Sequence, residues 1–153
     1  MARLISCLVL FLLLSSCGKD RMFFEKKEVS PEGWPYSQEI QFQVEVEDTT
    51  GAYDLELHIE HDRSYSYQNT YLNIVTEFPD GEKTEQVLSI ELVDDFGQWI
   101  GNCKGTDCEA VVDLIKRISF QLPGNYGFLI SQHSREESLK GVKSISLGVT
   151  KSK

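Results

Sequence analysis

Two histidines, three tyrosines and an arginine fall within the fifteen residues from His58 to Leu72, HIEHDRSYSYQNTYL. Side chains of these types ligate metals, stack on sugar rings and hydrogen-bond polar ligands. His58 and His61 are three residues apart, a spacing that on a helix places both on one face and would make a metal pair. On a strand the same odd separation sends them to opposite faces. The element that carries them therefore decides the chemistry.

The flanking residues identify that element. In YDLELHIEH, Tyr53, Leu55, Leu57 and Ile59 alternate with Asp54, Glu56, His58 and Glu60. Period two with one polar side is the pattern of a half-buried antiparallel strand. His61 continues the apolar face and is expected to end the strand with a satisfied hydrogen bond. His58 shares the polar face with the acids and is expected in solvent. Tyr65, Tyr67 and Asn69 then occupy a connection rich in hydroxyl and amide groups. There the rings either stack on a glycan, as aromatic loops of sandwich modules do, or fold inward and cap the end of the sandwich.

A second stretch, VDDFGQWIGNCKGTDCE, carries Asp94, Asp95, Asp107 and Glu109 among three glycines. It lacks the ligand spacing of an EF-hand, so no metal is expected there. Trp99 and Ile100 read as residues that plug the core, and Trp99 joins the candidate partner surface. Four residues, one of them a glycine, lie between Cys103 and Cys108, so a small loop could close. In an oxidising envelope compartment they read as a disulfide, with two reduced thiols as the alternative; a zinc pair would need two further ligands. No nucleophile elbow, phosphate loop or zinc-protease motif occurs, so neither catalytic residues nor a cofactor are expected.

Alternation recurs along the chain: Ile40, Phe42, Val44 and Val46; Leu72, Ile74, Thr76 and Phe78; Leu88, Ile90 and Leu92; Tyr126, Phe128 and Ile130; Ile145, Leu147 and Val149. DTTGA after Val46 and PDG after Phe78 mark turns, and each predicts a hairpin. EAVVDLIKRISFQ fits either a strand or a helix. The expected fold is a single all-β domain over 34–150, an antiparallel β-sandwich of immunoglobulin or jelly-roll type.

What precedes that domain concerns its compartment. Arg3 and the eleven-residue, largely apolar run Leu4 to Leu14 have the form of a signal peptide over 1–16, too short to span a bilayer. Leu14-Ser15-Ser16-Cys17 resembles a bacterial lipobox, which makes Cys17 the lipidated residue and 17–33 a flexible tether. Removal of the leader leaves 14 basic and 24 acidic side chains, a formal balance of −10. Such a surface suits neither nucleic acid nor an anionic bilayer, so the membrane contact is the lipid itself. Gly18 after the cysteine points to the outer membrane, and the scarcity of acids in CGKDR to its periplasmic face.

Taken in order, YDLELHIEH, YSYQNTYLNI, LVDDFGQWIG, FQLPGNYGFLISQ and LKGVKSISLGV resemble the gliding motility lipoprotein GldH family of the Bacteroidota. The likeness covers nearly all of the chain after the lipobox. It departs from the family pattern at Cys103 and Cys108 and at His133-Ser134-Arg135. The resemblance implies an outer-membrane lipoprotein of the gliding and type IX secretion machinery, working with protein partners and without catalysis. A glycan-binding envelope lipoprotein using Tyr65 and Tyr67 is the alternative. For the anchor, Cys17→Ser is expected to move the protein from the membrane to the soluble fraction of lysed cells; unchanged membrane retention would contradict lipidation there.

Overall fold

The computed structural model describes residues 21–152. The leader, Cys17 and the start of the expected tether lie outside the described residues. Eleven strands appear in chain order: β1 Arg21–Glu28, β2 Trp34–Pro35, β3 Ile40–Val46, β4 Tyr53–Asp62, β5 Asn69–Glu77, β6 Lys83–Glu91, β7 Asn102–Lys104, β8 Asp107–Ile118, β9 Gly124–Gln132, β10 Ser138–Leu139 and β11 Val142–Lys151. They form a five-stranded sheet in the order β1-β11-β4-β8-β7 and a four-stranded sheet in the order β3-β9-β5-β6, with β2 and β10 as a small separate pair. All pairings are antiparallel. The all-β sandwich expected from the alternation is the fold observed.

The alternating residues face one another across the middle. Leu55, Leu57 and Ile59 of β4 and Ile145, Leu147 and Val149 of β11 line the larger sheet's inner face; Phe42, Val44, Leu72, Ile74, Phe128 and Ile130 line the smaller sheet's. All are buried, and each contributes about 1.5–3 kcal/mol on leaving water. The segment that fitted either element, EAVVDLIKRISFQ, is strand: β8 pairs with β4 from Asp62↔Asp107 to Tyr53↔Ile118.

Two expectations are corrected. DTTGA does not close a hairpin, because β3 and β4 belong to different sheets. Asp48 ties the corner by accepting the Thr50 amide at 2.9 Å, and the Tyr53 hydroxyl donates to the Asp48 carbonyl at 2.8 Å. Two strands with one apolar face each satisfy that pattern as well across the core as side by side. The second correction concerns 17–33. From Arg21 onward this is not a tether, since β1 pairs along β11 to Glu28↔Ser144. Phe23 packs on the core, and Lys27 bonds the Gln41 carbonyl while lying 5.4 Å over the Phe42 ring. Val29 and Trp34 are buried, and the Trp34 indole donates to the Gln38 carbonyl at 2.8 Å. The domain thus begins at the start of β1, not at Trp34.

The strand directions give the sandwich two poles. The start of β1, the turns after β3, β5 and β8, and the end of β11 share one pole. The ends of β4, β6 and β9 and the start of β8 share the other. A ten-residue strand such as β4 spans about 33 Å, which sets the distance between them. A chain lacking residues 21–28 is expected to melt roughly 5–10 °C lower, from about 2–3 kcal/mol of lost burial. An unchanged midpoint by calorimetry would restore the tether reading.

Candidate functional site

The tyrosine segment lies at the pole away from the start of β1. As β4 ends, the Asp62 carboxylate accepts the Ser64 amide at 2.7 Å and the Asp62 carbonyl accepts the Tyr65 amide at 3.0 Å, which turns the chain. Gly141, at φ 91°, passes under this turn; a Cβ there would sit 3.2 Å from Tyr65 Cα, so the approach needs glycine. Tyr65 is buried, with its hydroxyl donating to the Asn69 carbonyl at 3.1 Å. Its ring meets Tyr67 edge-on at 5.6 Å. Tyr67 is 44% exposed and Tyr71 43%. One tyrosine caps the core, as the inward reading expected, and two remain at the surface.

A distant segment supplies the facing wall. Gln132, buried at the end of β9, accepts the Ser134 amide at 2.8 Å and the Ser134 hydroxyl at 2.7 Å, and donates to the Glu136 carbonyl at 2.9 Å. One side chain thereby folds 133–136 into a compact loop. Tyr36 adds a bond to the Ser134 carbonyl, and the His133 amide donates to the Tyr71 carbonyl at 2.8 Å. Between the walls lies a cleft of about 570 Å³ lined by Tyr65, Tyr67, Asn69, Tyr71, His133 and Arg135, with Glu136 at its rim.

The polar groups here are fixed in position. The Tyr67 hydroxyl donates to Glu136 Oε1 at 2.7 Å, and this bond to a carboxylate, more than burial, pushes its pKa up. Asn69 Nδ2 donates to the Ser89 hydroxyl at 3.0 Å. Among the described residues the exposed Arg135 guanidinium makes no hydrogen bond or ion pair, so its donors are available to a ligand. Phenol rings beside fixed amide, carboxylate and guanidinium groups suit a polar ligand with flat apolar faces, such as a sugar or a peptide loop.

The two histidines do point to opposite faces. His61 is buried, bonds the Asp62 carbonyl through Nδ1 at 3.1 Å and packs 4.8 Å from Trp99. His58 is half-buried, not solvated: Phe24 of β1 covers it edge-on at 5.2 Å, and Glu109 pairs with Nδ1 at 3.1 Å. Among the described residues no three His, Cys, Asp or Glu side chains converge as metal ligands. Trp99 is held half-buried against the core, while Ile100, expected beside it inside, is exposed. Gly101 explains the outcome, for at φ 101° a Cβ would collide with the Glu109 carbonyl, so the chain turns outward there. Phe96, at the tip of this loop, is 88% exposed. Cys103 and Cys108 face each other across the β7–β8 hairpin and are disulfide-bonded, with Cα atoms 4.0 Å apart.

A family model for the GldH lipoprotein matches residues 21–149, from the first residue of β1 into β11. The chain belongs to the GldH lipoprotein family. A gliding motility lipoprotein GldH homolog of Christiangramia forsetii is 26% identical over 148 residues, covering 92% of this chain and 90% of the relative. The gliding motility lipoprotein GldH of Flavobacterium johnsoniae is 28% identical over 140 residues, covering 91% and 86%. Among solved structures, a chain of infectious bursal disease virus, Gt strain, is 16% identical with a TM-score of 0.38, and the overlap spans 86% of this chain but 30% of the viral one.

In this GldH-family chain the sequence pattern located one wall of the cleft and missed the other. Tyr65, Tyr67 and Asn69 line it; Trp99 belongs to the neighbouring loop, on the far side of His61. His133, Arg135 and Glu136 come from a loop about seventy residues on, and only the departure from the family pattern at His133-Ser134-Arg135 singled it out. The buried His61 makes this pole sensitive to pH. Desolvation holds its pKa below the ordinary 6.5, so the imidazole is neutral at pH 7. The unfolded chain takes up that proton first on acidification, and the stability contributed by neutral His61 is present above pH 6.5 and lost as the pH falls toward the folded value. The melting temperature is expected to fall between pH 7 and pH 5, with a shallower slope in His61→Gln; parallel slopes would exclude this origin.

Proposed function

We propose that this protein is a non-enzymatic, lipid-anchored envelope component that docks a partner of the gliding motility and type IX secretion machinery through its tyrosine cleft. The observation that carries the reading is the placement of that cleft at the pole opposite the start of β1. Only residues 18–20 separate Cys17 from β1, so a lipid on Cys17 holds the adjacent pole against the bilayer. The four Cα-to-Cα steps from Cys17 to Arg21 reach about 14 Å at most, too little for the domain to turn over. The cleft then faces away from the membrane, where a partner meets it. Supporting this are the relatives of near-equal length named gliding motility lipoproteins. Anchorage on the periplasmic face of the outer membrane is part of the same reading, drawn from the residues around Cys17.

A second reading is favoured by the composition of the cleft. Exposed Tyr67 and Tyr71 beside an unpaired Arg135 also make a platform for a glycan. The two separate cleanly in one experiment. With a photoreactive residue at Tyr71 in living cells, a discrete protein adduct is expected, lost on Arg135→Ala or Tyr67→Ala while the melting temperature holds. Absence of any protein adduct, together with polysaccharide binding abolished by the same substitutions, would replace the machinery reading by the glycan one.

A further inference from the structure

The two flanks of the sandwich are unequally closed. On one flank β1 and β3 approach, and Lys27 of β1 bonds across the gap to the Gln41 carbonyl. On the other the smaller sheet ends in β6, nine residues paired with β5 in unbroken register from Glu77↔Lys83 to Asn69↔Glu91. The larger sheet ends there in β7, which covers β8 only from Asp107 to Glu109. Beyond that point β8 has, among the described residues, no neighbour on its outer side, and β6 faces it with its own outer edge.

Between these edges, in the half of the flank near the start of β1, is a cleft of about 470 Å³. Its floor is apolar: Leu55, Phe78, Ile115, Ile118, Phe120 and Phe128. Leu88 of β6 and Val112 and Leu114 of β8 are half-buried along the same seam. This is where a ninth long strand would lie.

Of the two open edges only β6 can take a partner strand in register. β8 is bulged against β4 twice between Asp113 and Ile118, and Arg117 has φ 55° with its amide bonded to Asp54 Oδ1 at 2.8 Å. Bulges of this kind twist an edge away from further pairing. β6 has none against β5, and no proline. The charges on the flank define its partner. Lys83 is paired with Glu77, and Lys116 with Asp113 at 2.7 Å. Asp80, Glu82 and Glu85 rim the cleft and, among the described residues, have no cation.

We infer that β6 accepts a strand: an extended segment of a partner protein, apolar at alternate positions with Lys or Arg between, adds to β6 and lays its apolar side chains into the cleft. Backbone bonds along the edge supply affinity, the cleft selects the apolar set, and the acidic rim selects the cations. This site is distinct from the tyrosine cleft, so Tyr67→Ala leaves it intact.

The probe is a nine-residue peptide of alternating Lys and Val, with a control of the same composition in two blocks. Binding of the alternating peptide is expected to slow amide hydrogen exchange within 83–91 and to exceed that of the block control by roughly tenfold or more. Neighbouring residues on a strand direct their N–H groups to opposite edges, so of Gln86→Pro and Val87→Pro one breaks the β5 ladder and the other removes only an outward donor. The variant that keeps the wild-type melting temperature is expected to lose the peptide. No binding at millimolar peptide, equal affinity for the block control, protection away from β6, or full binding by the folded proline variant would each overturn the inference.

Discussion

The inner row of β4 is the constraint on which the rest of the molecule depends. Leu55, Leu57 and Ile59 have a paired strand on each side, β11 and β8, and the smaller sheet opposite. Burying them requires all three neighbours at once, which is why an alternation of period two yields a closed sandwich. It also settles the fate of the strand's last residue. The register that puts Leu57 inside puts His61 inside, where it must be neutral, bonded to a carbonyl and packed against Trp99. The tyrosine turn is therefore built on an internal imidazole.

What could be read from the sequence followed from how local each feature is. Most long inward-facing strands announced themselves by alternation, although β8, the longest, fitted a helix as well. The PDG turn of the β5–β6 hairpin showed in its residues, and the Phe78 amide bonds the Glu82 carbonyl at 2.8 Å there. Strand β1 was hidden because its faces carry Arg21, Glu25, Lys26, Lys27 and Glu28, as an edge strand's do, and because it follows the lipobox closely. Its stability comes from a partner, β11, more than a hundred residues away. Sheet membership was equally non-local: the inward faces of β3 and β4 are alike, and only the assembled neighbours place them in different layers.

The candidate site shows the same division. Tyr65 and Tyr67 are two residues apart and were visible together, yet one caps the core and the other meets solvent. Their difference arises from Gly141 and Glu136, which approach from beyond β9. Gln132 organises that facing wall from within, so the exposed groups of 134–136 are set by a buried amide that no surface motif would reveal. The acidic surface is local in the opposite sense: several of its carboxylates are held in ion pairs such as Lys26–Glu60 and Lys143–Asp107, so the unpaired ones at the β6 flank stand out only in three dimensions.

The short run from Cys17 to β1 has a mechanical consequence. In the proposed arrangement, with a lipid on Cys17 as one attachment and a partner at the far pole as the other, tension would enter the domain through the first residue of β1 and act along that strand's axis. The bonds from β1 to β11 lie across this direction and are sheared together rather than peeled one by one. An edge strand that looked like slack rope is thus the member through which load would pass from bilayer to machine.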